Sequence, residues 1–315
     1  MKKRQLGSTG IEIAPMIFGG NVFGWTVNAR QSFELLDRFV ERGLNCIDTA
    51  DLYSAWVPGN QGGESETILG QWLKSRGLRD QIVLCTKVGM WDKRPGLSSG
   101  NIESAVEDSL RRLETDYIDV YFAHKDDENT PFEETMRAFD RLIQSGKVRT
   151  LGASNYGASR LLQAQQSARV SGLTPYKVIQ PLYNLFDRAD YEDHLAAIAR
   201  EQGLGVVVYF ALASGFLSGK YSHIEQIQNT ARERMLGKYF TARGLRILEA
   251  LNKVARTNAA TPAQIALAWL LSRDTVTAPI VSATRVEQLD ELIGCFDVNL
   301  SQEDVQRLNE ASARD

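Results

Sequence analysis

The sequence predicts a (β/α)8 barrel, or TIM barrel, with an N-terminal β-hairpin and extra helices toward the C-terminus. Two observations lead to this fold class. Eight short apolar segments alternate with amphipathic helical patterns, and these segments lack a period-two alternation, which is typical of strands buried on both faces of a parallel sheet. Because the 315 residues exceed the ~250 of a bare barrel, we expect one domain over residues 1–315 with added elements.

The predicted strands are rich in β-branched and aromatic residues. They cover residues 16–18, 46–48, 82–86, 117–123, 148–153, 178–181, 206–209 and 278–281. The alternation fails only near the end, where helical patterns at 245–256 and 262–271 both precede the last strand. A doubly wound sheet is the alternative fold, but residues 19–24 (GGNVFG) have Asn21 where its G-x-G-x-x-G turn needs glycine.

Apolar residues recur at i, i+3 and i+4 between the strands, which predicts helices. The clearest stripe is Ile102, Ala105, Val106, Ser109, Leu110 and Leu113. Thr130 and Thr261 each precede a proline and are predicted N-caps. The additional elements are a hairpin over 4–13, a long stretch over 211–243, and a C-terminal helix over 301–311 capped by Ser301.

Composition excludes several classes of function. With 36 Lys+Arg against 39 Asp+Glu, the formal net charge of −3 argues against a nucleic-acid partner. Cys46, Cys85 and Cys295 form no C-x-x-C and are expected to be reduced thiols. No leader peptide and no apolar run of ~20 residues is evident, so we expect a cytoplasmic protein with no membrane partner.

Active sites of such barrels lie at the C-terminal ends of the strands. Three successive strands end near an ionisable residue, namely Asp48, Lys87 and His124, and Tyr53 follows the first of them. A tyrosine of pKa ~10 is a poor acid at neutral pH, but a nearby lysine charge favours tyrosinate. An aspartate can hold that lysine, and a histidine can orient a carbonyl oxygen. Together they predict a site that polarises and protonates a carbonyl.

Each of these residues alone has a simpler structural interpretation, such as a turn aspartate or a lysine with an exposed ammonium group. Their combination at one end of the barrel favours chemistry. Metal catalysis is not expected, because only His124, His194 and His223 are present and no i, i+4 pair occurs. A serine nucleophile is disfavoured because no G-x-S-x-G follows a strand.

The segment 48–53 (DTADLY), with Lys87 and His124 on the next strands, resembles the catalytic tetrad of the aldo-keto reductase family. Further matches are 6–10 (LGSTG), 152–155 (GASN), 180–184 (QPLYN) and 215–221 (GFLSGKY). The resemblance extends over essentially the whole chain and is strongest to the bacterial branch that also resembles potassium-channel β subunits.

This resemblance implies an NADPH-dependent oxidoreductase that reduces aldehydes or ketones, with NAD(H) as a possible second cofactor. Tyr53 would be the general acid, Lys87 and Asp48 would tune it, and His124 would orient the carbonyl. The implied cofactor residues are Ser154, Asn155 and Gln180 at the carboxamide, Tyr209 stacked on the nicotinamide, Leu217, Ser218 and Lys220 at the pyrophosphate, Arg285 and Gln288 at the 2′-phosphate, and Glu291 at the adenine.

Bulky residues near the strand ends predict a substrate pocket with aromatic walls that suits an apolar or aromatic aldehyde or ketone. These residues are Trp25, Trp56, Trp91 and Phe210, with Tyr183 as a further candidate. The simpler interpretation of Trp56 and Trp91 is that they pack loops.

Two other functions fit part of this pattern. A nucleotide-sensing subunit would keep the same tetrad, whereas a barrel isomerase or aldolase using Lys87 as a Schiff base would leave Asp48 and Tyr53 hard to explain.

Overall fold

The computed structural model describes residues 2–228 and 233–314. Eight parallel strands close into a barrel in the order β10-β11-β12-β3-β4-β5-β8-β9, so the predicted fold is confirmed and the doubly wound alternative is wrong. The strands are β1 (Arg4–Gln5), β2 (Glu12–Ile13), β3 (Ile17–Gly19), β4 (Cys46–Asp48), β5 (Val83–Val88), β6 (Met90–Trp91), β7 (Arg94–Pro95), β8 (Ile118–Ala123), β9 (Val148–Ser154), β10 (Val178–Gln180), β11 (Gly205–Val208) and β12 (Ala278–Val281).

Helices follow the barrel strands around the outside. They are α1 (Ala29–Glu41), α2 (Glu64–Arg76), α3 (Ser99–Leu113), α4 (Phe132–Gln144), α5 (Ala158–Val170), α6 (Ala196–Glu201), α7 (Glu233–Leu236), α8 (Ala242–Thr257), α9 (Pro262–Leu271), α10 (Val286–Ile293) and α11 (Gln302–Ala311). Helices α8 and α9 both lie between β11 and β12, as the sequence predicts, and α7 lies in the long stretch before them.

The N-terminal hairpin closes the lower end of the barrel. Strands β1 and β2 pair antiparallel with Arg4 opposite Ile13, which confirms the predicted hairpin. The side chains of Leu6 and Ile13 are buried in one cluster with lumen residues that include Cys46 and Phe122. Since side chains fill the lumen and the hairpin covers its lower end, chemistry is confined to the upper end, where the strands finish.

Two of the predicted helix starts are confirmed and one is wrong. Thr261 and Ser301 each cap their helix with a full capping box. Thr130 does not cap α4; its hydroxyl instead donates to Asp127 at 2.6 Å, and Pro131 occupies the N-cap position. Asp127 binds the Thr130 hydroxyl, and the sequence pattern of a cap residue followed by proline does not reveal this contact.

Within the described parts of the chain, no helix is both long and apolar enough to cross a membrane.

Candidate active site

Strand ends bring four predicted residues to the upper mouth of the barrel. Asp48 ends β4, Lys87 lies in β5, His124 directly follows β8, and Tyr53 lies in the loop after β4. The Lys87 ammonium donates to Asp48 Oδ2 at 2.6 Å, to the Thr49 carbonyl at 2.7 Å and to the Tyr53 hydroxyl at 3.2 Å. One lysine therefore links the aspartate and the tyrosine of the predicted tetrad.

The Lys87 charge is buried yet well satisfied. Its side chain is 0% exposed, and burial by itself disfavours the ammonium form. Asp48 and Tyr53 outweigh that burial and raise the pKa of Lys87 above its usual value. Lys87 is therefore a permanent cation at neutral pH, although the fold removes it from water.

Tyr53 shows two opposing effects on its acidity. Burial raises its pKa, while the Lys87 charge and hydrogen bond lower it; the net direction is upward. The sequence argument considered only the effect of the lysine, and burial outweighs that effect. The hydroxyl of Tyr53 is therefore protonated at neutral pH, which is the state that a general acid requires.

His124 is neutral in this setting. Burial, and then the charge of Lys87, lower its pKa well below the usual value. Its ring centroid lies 6.0 Å from that of Tyr53, with the rings 72° apart. Its Nδ1 is buried and has no hydrogen-bond partner among the described residues. A neutral imidazole beside the tyrosine hydroxyl can donate an N–H to an uncharged oxygen without adding a charge.

A series of hydrogen bonds joins the predicted carboxamide residues to Asp48 and His124 of the tetrad. Gln180 Nε2 donates to Asp48 Oδ1 at 2.8 Å, and the Ser154 hydroxyl donates to the Gln180 carbonyl at 2.9 Å. Asn155 Nδ2 donates to the His124 carbonyl at 2.9 Å. The structure thus brings the predicted carboxamide-binding residues and the tetrad into one connected polar network.

Tyr209 lies above this network. Its hydroxyl donates to Asn155 Oδ1 at 2.8 Å, and its side chain is partly exposed at the mouth. Asn155 itself is exposed and has a left-handed backbone with φ of 55°, a conformation that asparagine tolerates better than most residues. Asn155, a residue of the same network, therefore holds the Tyr209 hydroxyl in place at the mouth.

The predicted pyrophosphate residues lie in the 3-10 segment Ala213–Ser218 and just after it. Leu217 is fully buried, so its side chain belongs to the core. The Ser218 hydroxyl donates to the Gly215 carbonyl at 2.7 Å, and the Lys220 ammonium lies over the Tyr221 ring at 4.7 Å. Of the three predicted residues, only Lys220 is largely open to solvent.

The three residues predicted for the adenosine end lie on or beside α10. Arg285 is the exposed N-cap residue of this helix. Gln288 Oε1 accepts from the Thr284 backbone N–H at 3.0 Å, and the Glu291 carbonyl accepts from Gln264 Nε2 at 2.7 Å. A cation at a helix N-terminus offers both charge and free backbone N–H groups to an anion.

Aromatic side chains form one wall of the mouth. Trp56 contacts both Tyr53 and Trp25 edge-to-face, with ring centroids 5.7 Å apart in each pair. Phe210 is 38% exposed and its ring lies 5.2 Å from that of Tyr209. Trp56 and Trp25 therefore add apolar surface next to the Tyr53 ring, and Phe210 adds apolar surface next to Tyr209.

One further candidate pocket residue lies elsewhere, and another packs on a loop of the mouth. Tyr183 is 1% exposed and its hydroxyl donates to Glu192, so its assignment to the pocket is wrong. Trp91 packs on the loop after Tyr53, where a Cβ on Gly62 would come within 2.7 Å of the indole. Gly62 has φ of +94°, and both its conformation and this contact require glycine.

Sequence reasoning missed a second buried cluster behind the tetrad. Glu66 accepts from Thr86 Oγ1 at 2.6 Å and from Arg112 Nη2 at 2.6 Å. Asp51 is 0% exposed beside them, and neither of its carboxyl oxygens has a partner in the described structure. Only the position of Asp51 between Asp48 and Tyr53 in sequence hinted at its importance.

The described residues contain no group of three or more His, Cys, Asp or Glu side chains arranged to hold a metal ion.

Comparison with known proteins agrees with this architecture. The model of the aldo/keto reductase family matches residues 15–313. An uncharacterized oxidoreductase of Bacillus subtilis is 33% identical over 98% of this chain and 95% of its own length. A probable aryl-alcohol dehydrogenase of Saccharomyces cerevisiae is 33% identical over 90% of this chain and 88% of its own.

A third relative bears a different name. A probable voltage-gated potassium channel subunit beta of Arabidopsis thaliana is 31% identical over 95% of this chain and 92% of its own length. The chain belongs to the aldo/keto reductase family and is an oxidoreductase of that family.

Proposed function

We propose that this protein is an NADPH-dependent carbonyl reductase in which residues 1–315 act as one domain. It converts small aldehydes or ketones to alcohols. The single observation that supports this most is the Lys87 ammonium, which contacts Asp48 Oδ2 at 2.6 Å and the Tyr53 hydroxyl at 3.2 Å in a buried site. A buried, permanently charged lysine beside a protonated tyrosine is suited to moving a proton to a carbonyl oxygen.

The residues present fit a nicotinamide cofactor. Ser154, Asn155 and Gln180 supply hydroxyl and amide groups at the mouth, and Tyr209 offers a ring face beside them. The Arg285 side chain is exposed and forms no hydrogen bond or ion pair with another described residue, so its guanidinium is available to a phosphate. These groups match the carboxamide, the ring and the 2′-phosphate respectively. When bound, the nicotinamide supplies the hydride.

Protein side chains handle the proton. As negative charge develops on the carbonyl oxygen, the Tyr53 hydroxyl donates its proton to that oxygen. The Lys87 charge stabilises the tyrosinate that forms, and Asp48 holds the lysine in place. His124, neutral at pH 7, donates a hydrogen bond that fixes the direction of the carbonyl. General acid catalysis of this kind contributes roughly 10²–10⁴-fold to the rate.

The aromatic wall favours substrates with a flat apolar group. Trp56 lies beside Tyr53 and is itself in contact with Trp25, and Phe210 lies beside Tyr209; aromatic pairs of this kind prefer stacked or edge-to-face contact. We therefore propose aromatic aldehydes as good substrates. The name of the yeast relative, a probable aryl-alcohol dehydrogenase, supports the same substrate class.

The test is steady-state oxidation of NADPH and of NADH against benzaldehyde, a short aliphatic aldehyde, a ketone and the matching alcohols. Sustained turnover of benzaldehyde with NADPH, faster than with the aliphatic aldehyde, supports the proposal. A protein that binds NADPH but turns over none of these compounds contradicts it.

A nucleotide-sensing binding subunit is the second candidate, because a relative of 31% identity is named as a potassium channel subunit. Such a subunit would bind NADPH tightly and turn over slowly. The same assay separates the two functions, since the carbonyl reductase must release the oxidised cofactor in every cycle.

A further inference from the structure

Asp51 lies in the loop that carries Tyr53, the proposed proton donor, and contacts the strand that carries Lys87. It is two residues before Tyr53 in the same loop, and its backbone N–H donates to the Lys87 carbonyl at 3.3 Å. It is 0% exposed. A change of charge on Asp51 is therefore felt by Tyr53 with little screening by water.

The neighbours of Asp51 leave it without a counter-ion of its own. Glu66 in α2 takes hydrogen bonds from Thr86 and from Arg112 in α3, so the nearest guanidinium is already paired. Arg94 in β7 forms an ion pair with Asp108 at 2.7 Å.

Tyr121 in β8 completes the surroundings of Asp51. Its hydroxyl has no hydrogen-bond partner in the described structure. The site thus places an unpaired acid beside a paired one. Both nearby guanidinium groups form ion pairs with other carboxylates, although Arg94 Nη2 has no hydrogen-bond partner in the described structure.

Asp51 is for this reason a neutral acid over part of the working pH range. Burial, and then the charge of Glu66, raise its pKa to about 7, although Arg112, the Leu52 backbone N–H and Arg94 act in the other direction. His124 does not titrate in this range, because its pKa is well below the usual value. Of Asp51 and His124, only Asp51 therefore changes its charge near pH 7.

The charge of Asp51 acts on Tyr53. Burial and the charge of Asp48 raise the pKa of Tyr53, and the Lys87 charge lowers it; a carboxylate at Asp51 adds to the upward shift. A tyrosine of higher pKa donates its proton less readily, so general acid catalysis weakens as Asp51 ionises.

We propose that Asp51 is a positioning residue for the carbonyl reaction: as a neutral acid it does not oppose the effect of Lys87 on Tyr53, and as a carboxylate it opposes that effect. The proposal rests on the carbonyl reductase function. It makes Asp51 the residue through which solution pH changes the strength of the proton donor, without any contact between Asp51 and the substrate.

The test compares the wild type with Asp51→Asn in single turnovers of NADPH with benzaldehyde from pH 5.5 to 9. In the wild type the rate should fall through an inflection near pH 7, and in Asp51→Asn that inflection should be absent. At pH 8 the variant should be faster by about two- to tenfold, the effect of removing one charge at a short distance inside a protein. Rates at pH 5.5 should agree.

Tyr121→Phe is the matched control. It removes another buried polar group of this cluster that has no hydrogen-bond partner, at the same depth, without changing a charge. Its inflection should stay near pH 7. If Asp51→Asn keeps the wild-type pH profile, the proposal is wrong while the carbonyl reductase function stands.

A second measurement does not depend on turnover. The infrared carbonyl band of a protonated carboxylic acid should disappear from the wild type between pH 6 and pH 8, and Asp51→Asn should lack this change. A wild type without it overturns the proposal. If the band changes as expected but no carbonyl compound is reduced, the proposed function fails, and the catalytic role of Asp51 fails with it.

If Asp51→Asn does not fold, Glu66→Gln takes its place in the test. Loss of the Glu66 charge removes repulsion and leaves Arg112 free to face Asp51, so the inflection should move to lower pH. An inflection that stays in place in Glu66→Gln overturns the proposal.

Discussion

The Lys87 ammonium lies 2.6 Å from Asp48 Oδ2, and both side chains are almost completely buried. Two charges withdrawn from water cost several kcal/mol each, which only close pairing and further hydrogen bonds offset. Lys87 meets this requirement with three acceptors, and the third is the Tyr53 hydroxyl. The pair therefore directs a permanent positive charge at the proposed proton donor.

Replacing Lys87 should have a larger effect on catalysis than replacing Asp48. Lys87→Met removes the charge that stabilises tyrosinate, so we expect kcat for benzaldehyde to fall by about 10²-fold or more. Asp48→Asn leaves the lysine its contacts with Thr49 and Tyr53, so its loss should be smaller. Steady-state kinetics of both variants, with folding checked by circular dichroism, makes the comparison. A larger loss in Asp48→Asn would mean that the two roles are exchanged.

Arg285 should determine the preference for NADPH. Charged hydrogen bonds contribute roughly 1.5–3 kcal/mol, so Arg285→Ala should weaken NADPH binding by about ten- to a hundredfold and leave NADH nearly unchanged. Fluorescence titration with each cofactor measures this, and the loss should shrink at high salt because the residue is exposed. Arg169→Ala, at the exposed end of α5, is the matched control and should bind both cofactors normally. Equal weakening of both cofactors by Arg285→Ala would contradict the assignment.

Trp56 should influence the choice of substrate. It is 44% exposed and contacts Tyr53 and Trp25 edge-to-face, so its removal opens the wall without emptying the core. Aromatic contacts of this kind add about 0.5–1.5 kcal/mol, so Trp56→Ala should raise the KM for benzaldehyde by about two- to tenfold. The KM for a short aliphatic aldehyde is the internal control. If both KM values change together, Trp56 only supports the loop.

Asp51 should make stability depend on pH. Its pKa is about 7 in the folded protein and ~3.9 in an unfolded chain, so the folded state retains a proton that the unfolded state loses between these values. Stability is therefore lost as pH rises from about 4 to 7, by as much as about 4 kcal/mol.

Asp51→Asn should not show this loss, although a pH-independent cost of the substitution is expected in addition. Urea unfolding of both proteins at pH 5 and pH 8 measures the difference. His124 contributes with the opposite sign below pH 6.5, but equally in both proteins. The same pH dependence in wild type and variant would show that Asp51 is ionised throughout.

The barrel was predictable because each of its strands is a short local run of β-branched and aromatic residues. Asp48, Lys87 and His124 were predictable as neighbours because parallel strands end at one edge of the barrel. The predicted strand 16–18 differs from Ile17–Gly19 by a single residue at each end. Such shifts arise because hydrogen-bond register, and not composition, sets the last residue of a strand.

Properties set by tertiary contacts escaped prediction. The state of Asp51 depends on Glu66 and Arg112, which are distant in sequence and pair with each other in the fold. The pKa of Tyr53 depends on burial as much as on Lys87, and burial depends on how loops cover the mouth. Tyr183 failed as a pocket residue for the same reason, since its ring turns inward beside Tyr191 and Trp269.

The most direct test of the central claim is the activity of Tyr53→Phe. This substitution keeps the ring against Trp56 and His124 and removes only the hydroxyl that Lys87 contacts. If Tyr53 donates the proton, kcat for benzaldehyde with NADPH should fall by at least about 10²-fold, with NADPH affinity by fluorescence titration little changed. A Tyr53→Phe protein whose kcat stays within tenfold of the wild type would show that the proton comes from another group.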